Sequence, residues 1–187
     1  LIGMVVCGQP NLPLPTPVRR LVLNDVGPAV AWVFVERLRT YLGKSMTFAS
    51  LEQAAAAMWA ISSSFGPHRP EQWLALSRHM VKPIADGSGY VELHYDPAIA
   101  VPVQFLTLEL AAQGEAMLWQ LYDAITAQTL LLRGADSDLL TPATAQAMAK
   151  RGPQAQMLEF AGVGHAPTLI ATDQVDAVAN FLLTQVE

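Results

Sequence analysis

One cysteine, Cys7, stands in the 187 residues, so no intrachain disulfide can form and the chain gives no sign of an oxidising compartment. Charged residues are scarce at 14%, and Lys and Arg are scattered singly within a net charge of −5. That distribution offers no footprint for nucleic acid or for an anionic membrane surface. No apolar run is long enough to cross a bilayer. The apolar opening Leu1–Cys7 has neither basic residues before it nor a small-residue cleavage site after it, and so makes a poor signal peptide. These absences point to a cytoplasmic protein. Hydrophobic residues are plentiful at 52%, enough for a sizeable core and too many for a disordered chain.

The apolar pattern divides the chain into strands and helices. Leu1–Gly8 reads as the end of a buried helix with no N-cap before it, which leads us to expect sequence upstream of Leu1. A loop holding Pro10, Pro13, Pro15 and Pro17 follows. Arg20–Val26 has the length and Val/Leu content of a strand buried on both faces, and Gly27-Pro28 stops it. From Ala29 to about Ala112 the pattern is helical. Helices are expected over Val30–Leu42, from a capping box at Ser50-Leu-Glu-Gln53, and from Pro70 to Val81, with a short strand near Tyr90–Tyr95. After a helix around Glu115–Ile125, strands are expected at Thr129–Arg133 and Gln156–Phe160. A helix over Pro142–Arg151 separates them. A last helix, capped by Asp173, would bury Val175, Val178, Ala179 and Leu182. Strands alternating with helices imply an α/β fold with a parallel sheet covered on both faces, whose functional residues lie beyond the strand C-termini.

Two polar turns fall at that position. One is Arg133-Gly-Ala-Asp136-Ser-Asp138, the other Gly162-Val-Gly-His165-Ala-Pro167. Acid before histidine is the order of the second half of a Ser…Asp…His triad. In that chemistry an imidazole takes the serine proton, and a carboxylate fixes the imidazole's tautomer. Asp136 and Asp138 compete for the acid role. Asp138 stands directly before Leu139-Leu140, whereas Asp136 can simply serve the turn. Asn24-Asp25, at the end of the first strand, reads as structural support for the turn at Gly27-Pro28. His68, His79 and His94 lack metal-ligand spacing, Ser88 lies in a polar Gly-Ser-Gly turn, and the four tryptophans read as helical packing.

The segments Leu23-Asn-Asp-Val-Gly-Pro28, Leu132-Arg-Gly-Ala-Asp-Ser-Asp-Leu-Leu140 and Gly162-Val-Gly-His-Ala-Pro-Thr-Leu169 resemble those of capped α/β-hydrolases. The resemblance implies a core formed by residues 1–28 and 113–187, with a helical cap inserted at 29–112. It makes Asp138 the better match for the catalytic acid and His165 the base. The serine of such enzymes sits in a Gly-x-Ser-x-Gly elbow, a pattern found nowhere in this chain. The expected protein is therefore the C-terminal part of a serine hydrolase of esters or related carbonyl compounds, with its nucleophile upstream. The alternative is a non-catalytic, truncated or hydrolase-like binding module. No cofactor or metal is implied. The expected partners are a small-molecule substrate with an apolar group and, through an exposed strand edge near Leu21–Leu23, another copy of the chain or the missing half.

Overall fold

The computed structural model describes residues 1–184. Helix α1 (Ile2–Gly8) leads through the proline-rich loop into strand β1 (Arg20–Asn24). The segment that follows, expected as a helical insertion, is less purely helical than its sequence pattern implies. Its elements are α2 (Trp32–Tyr41), β2 (Thr47–Phe48), α3 (Leu51–Ser62), α4 (Pro70–Ser77), β3 (Val81–Pro83), β4 (Val91–Leu93) and α5 (Ala100–Phe105). The three short strands form an antiparallel sheet in the order β2-β4-β3. Two- and three-residue strands are too short to show a period-2 pattern, so only β4 was legible.

Phe48, Ala54, Ala55, Met58 and Trp73 give the insertion its own small core, in which the Trp73 indole N–H donates to the Ala55 carbonyl at 2.8 Å. Helix α3 starts at Ser50, whose Oγ accepts from the Gln53 amide at 3.2 Å. The Gln53 side chain reaches back to the Ala49 amide at 2.6 Å, one residue earlier than a capping box requires.

Helix α6 (Leu108–Asp123) is continuous through Ala112, so the boundary between inserted segment and core expected there falls inside a helix. Thr107 caps it by accepting from the Leu110 amide. Its far half packs on α1 so closely that a Cβ on Gly8 would lie 2.0 Å from the Leu121 carbonyl oxygen.

The parallel sheet is completed by β5 (Gln128–Gly134) and β6 (Gln156–Phe160), with α7 (Pro142–Met148) between them and α8 (Thr172–Leu183) last. Its order is β1-β5-β6, with Leu23 opposite Leu131 and Leu132 opposite Leu158. The alternation of β5 divides the core. Leu131 packs with Met4, Leu21, Leu23, Tyr122, Leu140 and Met148. Leu130 and Leu132 face Phe160, Val163 and the Ala177, Val178 and Phe181 positions of α8. Leu130, Leu131 and Leu132 are each fully buried, contributing about 1.5–3 kcal/mol relative to exposure.

The face of α8 departs from the expected stripe. Gln174 is buried and Ala177, Val178 and Phe181 pack on the sheet, whereas Val175 and Leu182 are 44% and 45% exposed. Nor does Asp173 cap the helix. The N-cap is Ala171, and Asp173 accepts from the neighbouring Gln174 amide inside the first turn.

Candidate active site

Strand β1 ends one residue before Asp25, whose backbone takes a left-handed conformation with φ 52°. Asp is among the residues that tolerate this region. The Asp25 amide extends the pairing by donating to the Leu132 carbonyl at 2.8 Å, while the turn in the chain sends the carboxyl inward. That carboxyl is completely buried. Oδ1 accepts from the Gly134 amide at 3.1 Å, and Oδ2 accepts from the Ser137 hydroxyl at 2.6 Å. Oδ2 also lies 2.8 Å from His165 Nδ1. A buried carboxylate is costly unless donors surround it, and these three supply that surround.

His165 reaches Asp25 because the loop after β6 comes very close to the end of β5. A Cβ on Gly134 would lie 2.3 Å from the Gly164 carbonyl oxygen and 2.4 Å from that of Val163. Only glycine permits this approach. The loop is tied down by Asp136 N–H donating to the Val163 carbonyl at 2.9 Å and by the Asn24 amide group donating to the Pro167 carbonyl at 2.9 Å. Because a carboxylate accepts, Asp25 assigns the ring proton to Nδ1 and leaves the lone pair on Nε2. Phe34 of α2 packs its ring against the imidazole in a T-shaped contact, with centroids 5.3 Å apart. His165 stays about one-quarter exposed.

Asp138 does not occupy the expected place beside His165. Its carboxylate takes Arg37 Nη2 at 3.0 Å, and both side chains are half-exposed. The reason lies in the turn after β5. Arg133, nearly completely buried, holds it by donating to the Leu140 and Ala135 carbonyls and to Glu159 Oε2. Ser137 Oγ accepts from the Leu139 and Leu140 amides while donating to Asp25. With Ser137 pointing inward, Asp138 turns outward to the insertion. Asp136, the other candidate, makes no side-chain hydrogen bond among the described residues. The Arg37 guanidinium lies over the Phe34 ring at 5.1 Å, so cation, aromatic and imidazole follow one another in series. Nearby, burial raises the Tyr41 phenol above its ordinary range, opposed by Arg37 and reinforced by Asp138.

Asp25, Ser137, Phe34 and Arg37 were thus not read as site residues from the sequence. A signal for Asp25 existed. It follows a strand expected to be buried, in a parallel sheet whose functional residues are expected beyond the strand C-termini. Among the described residues no cluster of His, Cys, Asp and Glu has metal-holding geometry, and no helix is long and apolar enough to cross a membrane.

No protein-family profile matches the chain. It is 43% identical over 182 residues to a 3-hydroxybutyrate-oligomer hydrolase of Cupriavidus necator, covering 97% of this chain and 61% of that protein. Among solved structures, an α/β hydrolase from Novosphingobium aromaticivorans is similar with a TM-score of 0.73 and 33% identity, over 88% of this chain and 56% of the other. A putative hydrolase from Rickettsia typhi shares the fold with a TM-score of 0.79 at 24% identity, over 99% and 59%. The chain therefore spans about three-fifths of the length of the proteins it matches. With its parallel sheet, its flanking helices and these neighbours, the chain has the α/β-hydrolase fold.

Proposed function

We propose that this chain carries the acid and base of a serine ester hydrolase, and that the substrates are short esters of 3-hydroxybutyrate type. The observation that carries the reading is the buried Asp25 carboxylate 2.8 Å from His165 Nδ1, which leaves Nε2 free to accept a proton. The similarity to a 3-hydroxybutyrate-oligomer hydrolase supports the substrate class.

In this reading a serine hydroxyl outside the chain passes its proton to His165 Nε2 as its oxygen attacks the ester carbonyl. The tetrahedral intermediate collapses, and the imidazolium returns that proton to the departing alcohol. Water, deprotonated by the same nitrogen, then releases the acid and frees the serine. Asp25 holds the ring in the required tautomer and stabilises the imidazolium. Asp138, which the motif favoured as the acid, instead orients Arg37 at the edge of the site. The inserted segment that begins after Pro28 acts as a cap and sets substrate choice through α2, whose Phe34 touches the imidazole.

The absence of a Gly-x-Ser-x-Gly pattern from this chain favours a second reading, a non-catalytic hydrolase-like protein. Incubating the full-length protein with 3-hydroxybutyrate trimer and following monomer release separates the two. Turnover that falls by about three orders of magnitude or more in His165→Ala is expected for the enzyme. No turnover, or turnover indifferent to His165→Ala, rejects it.

A further inference from the structure

We propose that His68 and Thr168 form a strut by which the inserted segment positions the His165 loop; the inference rests on His165 acting as the base. His68 is one of three histidines in the insertion that the sequence leaves without a role. Its Nδ1 lies 2.8 Å from the Gly66 carbonyl oxygen and its Nε2 lies 2.8 Å from Thr168 Oγ1. A carbonyl can only accept, so Nδ1 carries the proton. In the neutral ring Nε2 then accepts from the Thr168 hydroxyl. One imidazole therefore joins two segments 100 positions apart in sequence.

The strut is anchored at its far end. The His68 ring packs edge-to-face on Trp59 and Trp73, with centroids 6.0 and 5.8 Å away, and Trp73 lies in the core of the insertion. A second contact acts beside it. The Gly164 amide donates to the Ser64 carbonyl at 2.5 Å, and a Cβ on Gly164 would come within 2.9 Å of Ser64. Gly66, between these contacts, has φ +98° and packs against Val163. The His165 loop is thus gripped by the insertion on both sides of the histidine, at Gly164 and Thr168. Asn24 supplies a third tie at Pro167.

His68 has no contact with the His165 ring and is a positioning residue. Its effect is on where Nε2 stands when the proton moves. Small displacements of a reacting group lower the chemical step far more than they weaken substrate binding.

The test uses full-length protein with 3-hydroxybutyrate trimer, comparing wild type with Thr168→Val, Thr168→Ser, His68→Phe and the His68→Phe/Thr168→Val double variant. His68→Phe keeps the aromatic packing on the two tryptophans and removes only the hydrogen bonds. We expect kcat to fall about tenfold in each single valine or phenylalanine variant, with KM changed less than about twofold. Thr168→Ser keeps the hydroxyl and retains wild-type kcat. The double variant is no slower than the singles, because both remove the same link. Wild-type kcat in Thr168→Val, failure of Thr168→Ser to rescue, or additive losses overturn the strut.

A readout independent of activity is the long-range ¹H–¹⁵N spectrum of the histidine rings. It should show His68 as the Nδ1–H tautomer, with the His165 ring signals shifted by Thr168→Val. A His68 ring protonated on Nε2 alone, or unshifted His165 signals, contradicts the proposal even if the enzyme reading fails in the same assays through an indifferent His165→Ala.

Discussion

Asp25 turns the end of a buried strand into an acidic site by three coincident features: a left-handed φ of 52°, complete burial, and donors at Gly134, Ser137 and His165. Ser137 deserves as much weight as either neighbouring aspartate, because one hydroxyl donates to Asp25 and accepts from the Leu139 and Leu140 amides. Ser137→Ala should cost about 1–3 kcal/mol by leaving buried polar atoms unpaired. Urea unfolding of the full-length variant would show the loss, and a change within about 0.5 kcal/mol would mean that these bonds are not mutually dependent. The Gly-x-Gly approach to His165 marks a sharp turn in the sequence, and the structure sets Asp25, not the expected Asp138, beside the ring. A motif states only which residue types stand near a strand end. Which of three successive side chains points inward depends on the turn's hydrogen bonds, and here the buried Arg133 fixes that turn.

The element that positions the site is β5, which supplies the centre of the two hydrophobic clusters flanking the parallel sheet and ends at Gly134. Gly134→Ala places a Cβ against two carbonyl oxygens of the His165 loop. It should destabilise the protein by about 3 kcal/mol or more, because neither backbone can yield without moving the other. Thermal unfolding would measure it, and a wild-type Tm would show that the loop is looser than its contacts imply. Strands β1, β5 and β6 were readable from their apolar runs, and the α7 start from Thr141-Pro142, whose cap hydrogen bond is present at 3.1 Å. Helix α8 was readable as a helix but not by face. Several apolar stripes fit Val175 to Leu183, and only the sheet decides that Ala177, Val178 and Phe181 are the packed set.

Over the whole molecule, β1 has a paired side toward β5 and, among the described residues, no strand on its other side. Large apolar side chains are also exposed, with Ile2 82%, Phe105 76% and Leu183 78% accessible. Unpaired strand edges and large apolar surfaces both favour association. The 187-residue chain should therefore elute as a dimer or larger in size-exclusion chromatography with light scattering. A soluble monomer at tens of micromolar would reject that expectation.

Whether Asp25 or Asp138 serves His165 is decided by kcat of the full-length protein on 3-hydroxybutyrate trimer in Asp25→Asn and Asp138→Asn. Asparagine nearly preserves each shape. At position 25 it removes the charge that holds the imidazole tautomer, whereas at position 138 it weakens a half-exposed pair with Arg37. With Asp25 as the acid, kcat falls by about 10³-fold or more in Asp25→Asn and by about tenfold or less in Asp138→Asn. The reverse order of losses would contradict it and return the acid's role to Asp138.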